Sequence, residues 1–226
     1  MAASRVLRTG GLYFNARNYV RIEDNPSLRH LNGITVLAWI YPINISYYTD
    51  PITCYVVVAG NSYLFRIDGF GEGSKLSWFV YIDNAIEPRL SSTYVLSLNT
   101  WYHVAGVYNS SNGFMGLYIN GALNNSRTRT GTPTLGYFSV VNVGARPEGT
   151  CFFYGLIDEV RIYNRALTAD EIYEIYSKGT FIKDGLVLYL PFYEGEGNIV
   201  HDVSGYGNHG TIYGGAMWVV KKALVR

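Results

Sequence analysis

Two pairs of neighbouring carboxylates in this sequence have the residue types that acid/base chemistry needs. The first pair is Asp158-Glu159, and the second is Glu194 with Glu196. Because successive side chains of a strand point to opposite faces, Asp158 and Glu159 cannot flank one bond as the carboxylates of a glycosidase do. The second pair lies in a Gly-rich loop without a third carboxylate. We therefore interpret both pairs as structural or solvated.

The histidines give no sign of catalysis either. His30, His103, His201 and His209 do not have the spacing of a metalloprotease motif, and no nucleophile elbow accompanies them. The sequence thus contains no candidate catalytic residue, and the protein is expected not to be an enzyme.

The loop with the sequence DVSGYGNHG has the oxygen-bearing residues that Ca²⁺ prefers. Asp202, Asn208 and several backbone carbonyls lie close together in it, and calcium is held by carboxylates, amides and carbonyls. Asp158 begins a strand that we expect beside the C-terminal segment, which makes it the third predicted ligand. The alternative is that Asp202 and Asn208 form only Asx-turns. The sequence therefore predicts a structural Ca²⁺ site, with this alternative open.

Aromatic residues are abundant, and some of them are candidates for binding sugars. The chain has 21 tyrosines; Tyr47 and Tyr48 cluster in one stretch, while Tyr206 and Tyr213 flank the Gly-rich loop. Exposed tyrosines suit both glycan stacking and protein interfaces. The alternative is that each ring is buried and only its hydroxyl reaches the surface. We take these four residues as predicted ligand-binding positions.

Two cysteines, Cys54 and Cys151, are too few and too far apart in sequence for a zinc site. A disulfide between them would close a loop of about a hundred residues, which stabilises a fold chiefly through the unfolded chain. The alternative is two separate buried thiols, which behave as small apolar side chains. We predict the disulfide and keep the alternative.

Composition excludes several classes of partner. Charged residues make up 15% of the 226 residues and the formal net charge is +1, so no broad positive field is available for nucleic acid or an anionic membrane. No apolar run approaches the roughly 20 residues that span a bilayer, and the first residues lack the apolar core of a signal peptide. The sequence predicts no membrane insertion, with any secretion signal missing or removed.

Short strands recur along the chain. Segments such as LSWFVYID are β-branched or aromatic, alternate with period 2, and end at Gly, Asn, Ser or Pro. Asn120-Gly121 predicts a two-residue type I′ hairpin. The convincing helix is near residues 168–177, where Thr168 and Glu171 form a capping box and Gly179 ends the helix. The pattern predicts an all-β, antiparallel sandwich with one short helix, and a single domain over residues 1–226.

Several segments together resemble a known family. GLYFNARNYVRI, WYHVAGVYNSSNGFMGLYINGALNN and FFYGLIDEVRIYNRALTADEIYEIY are similar, in order and spacing, to the laminin-G-like, concanavalin A-like jelly-roll domain. Residues 185–226 resemble the start of that domain, so its first strand is apparently permuted to the C-terminus. The resemblance implies the jelly-roll sandwich. It leaves the activity open, because such sandwiches include sugar binders, adhesion modules, spacers and glycosidases.

The resemblance also implies that a structural calcium is common, and this chain departs from the family there. Asn15 and Asn18 stand in FNARNY where the family usually has acidic residues. Two negative charges that could bind a cation are therefore absent from this segment.

The displaced strand must pair somewhere, because a sandwich without it has unpaired backbone groups. Alternation predicts that Leu186, Leu188, Leu190 and Phe192 share one face, worth roughly 6 to 12 kcal/mol of burial before ordering costs. The strand can close in cis, which gives a circularly permuted monomer. It can also insert in trans into a second copy, which gives a ring or filament.

From these observations we expect a non-enzymatic structural or adhesion protein displayed on the surface of a cell or virion. It would be extracellular and would self-associate into a homo-oligomer or filament through strand exchange or sandwich edges. The alternative is a monomeric, circularly permuted carbohydrate-binding module with glycans as partners.

Overall fold

The computed structural model describes residues 10–15, 17–29, 32–44, 54–59, 62–68, 73–83, 89–131, 133–134, 140–146, 151–215 and 217–219, with the backbone alone for 54–59. The described residues form an antiparallel β-sandwich with one α-helix, as the sequence predicts. Its elements in chain order are β1 (Gly11–Asn15), β2 (Tyr19–Ile22), a 3-10 turn (Pro26–Leu28), β3 (Gly33–Pro42), β4 (Cys54–Ala59), β5 (Tyr63–Ile67), β6 (Lys75–Val80), β7 (Arg89–Val95), β8 (Tyr102–Asn109), β9 (Phe114–Ile119), β10 (Ala122–Thr128), β11 (Val141–Val143), β12 (Tyr154–Tyr163), α1 (Ala169–Lys178), β13 (Leu186–Leu190), β14 (Ile199–Val200), β15 (Gly210–Tyr213) and β16 (Trp218–Val219).

Two sheets make up the sandwich. Sheet A has the strand order β10-β9-β8-β3-β12-β1-β16, and β13 also pairs with β12. Sheet B has the order β14-β15-β2-β11-β4-β5-β6-β7. Many neighbours in space are far apart in sequence, so the fold depends on long-range pairing.

The core lies between the two sheets and follows the predicted alternation. In β6, Leu76, Trp78 and Val80 point inward. Gly106 of β8 leaves room for the indole of Trp78, because a Cβ at Gly106 would lie 2.4 Å from Trp78 Cδ2. The Trp78 Nε1–H donates to the Val107 carbonyl at 3.2 Å. One tryptophan therefore packs on the opposite sheet and is hydrogen-bonded to it.

Helix α1 has the predicted capping box. The Thr168 hydroxyl accepts from Glu171 N at 3.2 Å, and Glu171 Oε2 accepts from Thr168 N at 2.8 Å. Gly179 ends the helix in the left-handed region with φ 68°. Ile172 and Ile175 are buried against the outer face of sheet A. The helix thus covers part of that face.

The C-terminal segment pairs within its own chain in this structure. β1 pairs with residues 154–157 of β12, and β13 pairs with residues 160–163 on the same side. Between them β12 has a bulge, where Glu159 has φ 49° and two residues stand opposite Ala38. The two strands therefore lie end to end along β12.

Three of the four apolar residues named for the displaced strand lie in the core. Leu188 and Leu190 are fully buried and Phe192 is 1% exposed. Leu186 instead packs beneath α1 on the outer side of sheet A, and Val187 takes the inward position. A register shift in the β12–β13 pair accounts for this change. The prediction of one shared face is therefore wrong at Leu186.

Asn18 links β1 to the segment that follows β15. Its Nδ2 donates to the carbonyls of Tyr13 (2.8 Å) and Gly215 (3.1 Å), and its Oδ1 accepts from Asn15 N (2.8 Å). The side chain is fully buried. An amide suits this position because it both donates and accepts hydrogen bonds.

The edge strands β10 of sheet A and β7 of sheet B are joined by hydrogen bonds from side chains. β10 binds backbone groups of β7: Thr93 N donates to Asn124 Oδ1 (2.9 Å), Asn125 Nδ2 donates to the Ser91 carbonyl (2.8 Å), and Arg127 Nη1 donates to the Arg89 carbonyl (3.0 Å). A register shift in β10 between Leu123 and Asn125 places two successive asparagines among these contacts. We call these contacts the β7–β10 seam; they satisfy backbone groups that an edge strand would otherwise expose.

Candidate functional site

The outer face of sheet B, called here the B face, collects polar and aromatic side chains. Its members alternate with core residues: Val20 and Phe65 point inward, so Tyr19 of β2 and Arg66 of β5 point outward. Neighbouring strands supply the rest of the face. Two clusters on it have functional potential.

The first cluster is the tyrosine platform, formed by Tyr19, Tyr213 and Phe152. Tyr19 and Tyr213 stand directly opposite each other on β2 and β15. Their rings are stacked, with centroids 5.3 Å apart and planes 13° apart, and Phe152 lies 6.4 Å from Tyr19. Tyr213 is 43% exposed. The platform therefore presents aromatic surface to solvent.

An ion pair lies beside the platform. Arg21 follows Tyr19 by two residues on the same face and stands opposite Thr211 of β15. Its Nε donates to Glu23 Oε1 at 2.8 Å. That contact raises the pKa of the Arg21 guanidinium. Charged hydrogen-bonding groups thus flank the aromatic rings.

The second cluster is the ionic cluster, formed by Asp68, Arg66, Arg89, Ser77 and Phe79. Asp68 is fully buried; its carboxylate accepts from Arg66 Nε at 3.0 Å, from Ser77 Oγ at 2.5 Å and from Arg89 Nη2. Both guanidinium groups lie over the Phe79 ring, at 4.6 and 5.7 Å from its centroid. Burial raises the pKa of Asp68, while Ser77 and the two arginines act in the opposite direction. The cluster holds two guanidinium groups in fixed positions.

The loop that was predicted to bind calcium is held by hydrogen bonds to the Asp202 carboxylate. Asp202 Oδ1 accepts from Tyr189 N (2.8 Å) and Ser204 N (2.9 Å), and Oδ2 accepts from Ser204 Oγ (2.7 Å) and Asn208 N (2.9 Å). Four donors therefore occupy the Asp202 carboxylate. This arrangement matches the Asx-turn alternative and ties the loop to β13.

The other two predicted ligands also have structural contacts. Asn208 Nδ2 donates to Ser27 Oγ (2.9 Å) and to the Val187 carbonyl (2.8 Å). Asp158 is fully buried, and its Oδ1 accepts from Glu159 N at 3.0 Å. Among the described residues, no group of three or more His, Cys, Asp or Glu side chains is arranged to hold a metal. Calcium stays a prediction.

The four predicted sugar-binding tyrosines have different positions. Tyr213 belongs to the platform. Tyr206 is 54% exposed in the Gly-rich loop, where its backbone N donates to Ser204 Oγ at 3.3 Å. Tyr47 and Tyr48 lie outside the described residues.

Cys151 is half-buried and packs beside Leu64 and Phe79 on the B face. The side chain of Cys54 lies outside the described residues. The disulfide therefore stays a prediction.

The carboxylate pairs have structural partners. Glu159 Oε2 accepts from the buried Arg161 at 3.1 Å, and Arg161 also donates to the Thr180 carbonyl. Glu194 Oε1 accepts from His201 N at 2.7 Å. These contacts agree with the interpretation of both pairs as structural.

Sequence reasoning missed most of the B face. Tyr19, Phe152 and the ionic cluster were not predicted as site residues. Alternation within YVRI and YLFRID indicates which side chains share a face. The stacking of Tyr19 on Tyr213 depends instead on the pairing of two strands at opposite ends of the chain.

The two antiparallel sheets formed by the described residues, with α1 packed on one of them, define a lectin-like β-sandwich. More particularly, the chain belongs to the concanavalin A-like lectin/glucanases superfamily, whose family profile matches residues 14–173. The match runs from β1 into α1. Comparison with curated protein sequences gives no match.

Solved structures with this fold come from several organisms. The chain is similar to a Bacteroides ovatus protein provisionally described as carbohydrate-binding, at 22% identity over 96% of this chain with a TM-score of 0.71. It spans 61% of that protein's length. A heptameric SAP-like pentraxin of Limulus polyphemus matches at 15% identity, 95% of this chain, 96% of that chain and TM-score 0.63. The Ruminococcus gnavus IT-sialidase CBM40, bound to α2,3-sialyllactose, matches at 15% identity, 76% of this chain, 98% of that chain and TM-score 0.57. At these identities the likeness establishes the fold.

None of the helices in the described part of the chain is both long and apolar enough to cross a membrane.

Proposed function

We propose that the protein is a non-catalytic carbohydrate-binding module that holds a glycan on its B face. The observation that carries this proposal is the stacked, solvent-facing pair of Tyr19 and Tyr213. Aromatic faces bind the C–H surfaces of sugar rings, while tyrosine hydroxyls remain free to hydrogen-bond. Concave or flat sites of this kind combine apolar surface with a few fixed polar groups.

The two clusters of the B face are far enough apart to favour an oligosaccharide over a single sugar. β2 and β5 are separated by β11 and β4, which corresponds to about 14 Å at the usual strand spacing. One end of the ligand would stack on the tyrosine platform. The other end would receive hydrogen bonds from the guanidinium groups of Arg66 and Arg89.

The fold neighbours support carbohydrate as the ligand class. One is bound to α2,3-sialyllactose, and another, domain 4 of the Geobacillus stearothermophilus arabinanase AbnA, is in complex with arabinotriose at 23% identity and TM-score 0.52. A binding module of this type would act outside the cell or at a surface. Display on a cell or virion and self-association remain predictions from the sequence; the heptameric pentraxin indicates only that this fold is compatible with assembly.

A glycan array followed by isothermal titration with the tightest-binding oligosaccharide tests the proposal. Tyr213→Ala should weaken binding at least about tenfold, or 1.4 kcal/mol, because it removes half of the platform. Tyr213→Phe should retain most of the affinity, since the ring stays in place.

Tyr206→Ala is the matched control, because Tyr206 is also exposed but is not part of the stacked pair. It should bind like the unmodified protein. Equal affinity of Tyr213→Ala and the unmodified protein would overturn the assignment of the site. A loss of affinity in Tyr206→Ala alone would place the binding site in the Gly-rich loop instead.

A further inference from the structure

The outer face of sheet A carries a second aromatic surface. Helix α1 covers one part of this face, over Leu37 and Val107. Away from the helix, four side chains form a line across the sheet, which we call the aromatic row: Tyr13, Leu156, Tyr41 and Trp101. Tyr13 pairs with Leu156 and Leu156 pairs with Tyr41, while Trp101 lies beside Tyr41 with ring centroids 5.4 Å apart.

Every member of the aromatic row is half-buried, so each exposes part of its side chain. Their inward neighbours Leu12, Ile157 and Ile40 belong to the core, which fixes the orientation of the row toward the outside. The row crosses three strand spacings, or about 14 Å. It is long enough to contact an extended ligand.

The row is held in place before any ligand arrives. Tyr13 and Tyr154 meet edge to face at 6.0 Å. Hydrogen bonding by the protonated Tyr13 hydroxyl to Tyr154 raises the pKa of Tyr13. The Asn99 N–H donates to the Pro42 carbonyl at 2.8 Å and anchors the turn before Trp101 on β3. Rings fixed in this way lose little conformational freedom when a ligand binds.

Charge distinguishes this surface from the B face. The aromatic row consists of Tyr, Leu and Trp, with no side chain that is charged at neutral pH. The polar groups of the row are the hydroxyls of Tyr13 and Tyr41 and the indole N–H of Trp101, and the amide of Asn15, which stands opposite Tyr154, lies on the same face. Asp158, two residues beyond Leu156 on β12, is fully buried, so a charged partner would lose hydration at the row without gaining an exposed opposite charge. An uncharged ligand with many hydroxyl groups matches the row best.

We propose that the aromatic row binds a neutral polysaccharide chain and is a second carbohydrate surface, separate from the B face. The two surfaces lie on opposite sides of the sandwich. If the proposed function of the B face also holds, one molecule can bind two separate glycan chains and link them. Linkage of this kind needs no oligomer, because both sites are on a single domain.

Depletion assays with insoluble cellulose, xylan and mannan test the row directly. Trp101→Ala and Tyr41→Ala should each lower the apparent affinity for the polymer that the unmodified protein binds, by at least about tenfold. Tyr173→Ala, which removes an exposed ring from α1 on the same side of the protein, should bind normally. The titration of Tyr213→Ala is a separate measurement on the opposite face, so the two proposals fail separately.

Three outcomes would overturn the proposal. The first is failure of the unmodified protein to bind any of the three polymers, and the second is normal binding by Trp101→Ala and Tyr41→Ala. The third is a concentration-dependent dimer in light scattering that Trp101→Ala abolishes, which would make the row an interface between two copies. If the variants do not fold, hydrogen exchange of the unmodified protein decides: protection of residues 99–103 by the polymer supports the row, and unchanged exchange overturns it.

Discussion

Closure of the C-terminal segment on its own chain gives the most quantitative prediction. Leu188 of β13 is fully buried in the core and pairs with Ile162 of β12. Leu188→Ala removes apolar contacts and leaves a cavity, which costs about 2 to 5 kcal/mol in a packed core. Folded domains are stable by only about 5 to 15 kcal/mol, so the variant should unfold at a clearly lower urea concentration. Val203→Ala, in the same segment but 38% exposed, should change stability by less than about 0.5 kcal/mol.

The decisive measurement is how the urea midpoint depends on protein concentration. With the strand paired in cis, the urea midpoint of each protein, unmodified or Leu188→Ala, should not change between two protein concentrations about 100-fold apart. A strand supplied by a second copy would make folding bimolecular and raise the apparent stability by up to about 2.7 kcal/mol over that range. A midpoint that rises with concentration in the unmodified protein would refute closure in cis.

Four further predictions follow from individual contacts. Asn18→Asp should destabilise the protein by about 2 kcal/mol or more in urea unfolding, because the carbonyls of Tyr13 and Gly215 lose the donor that the buried Asn18 side chain supplies; unchanged stability would mean that these two hydrogen bonds contribute nothing to the fold. The Arg165 hydrogen bonds lower the pKa of Glu171, so this carboxylate stabilises the fold above its unfolded pKa and loses that effect as pH falls through the folded value. Glu171→Gln should therefore cost about 0.5 to 1 kcal/mol at pH 7 and almost nothing near pH 3 in thermal melts, whereas a pH-independent cost would contradict the ion pair. Asn125→Ala uncaps the Ser91 carbonyl at the β7–β10 seam and should increase self-association in light scattering, while an unchanged mass would mean that the seam does not protect this edge. EDTA should lower the melting temperature if the predicted Ca²⁺ is bound, and an unchanged melting temperature would rule the calcium out.

Local sequence signals were sufficient to predict which strand faces point inward and where the chain turns. Alternation in LSWFVYID correctly gave the inward face with Leu76 and Trp78. Asn120 and Gly121 both have positive φ, of 52° and 76°, as the predicted two-residue turn requires. These signals work because hydrophobic period and turn chemistry act over a few residues.

Features that depend on strand pairing, register or loop conformation could not be predicted from local sequence patterns. The bulge in the β12–β13 pair moves Leu186 to the outer side of sheet A, and no local pattern marks that shift. The tyrosine platform likewise depends on the pairing of β2 with β15. The hydrogen bonds of Asp202 depend on a loop conformation that positions four donors around one carboxylate, where the sequence also allowed calcium.

The most direct test of carbohydrate binding on the B face is a crystal structure of the protein with its tightest-binding oligosaccharide. A sugar ring stacked on Tyr213, with carbon atoms within about 4.5 Å of the ring, is the predicted result. An oligosaccharide bound elsewhere, with the tyrosine platform still open to solvent, would contradict it.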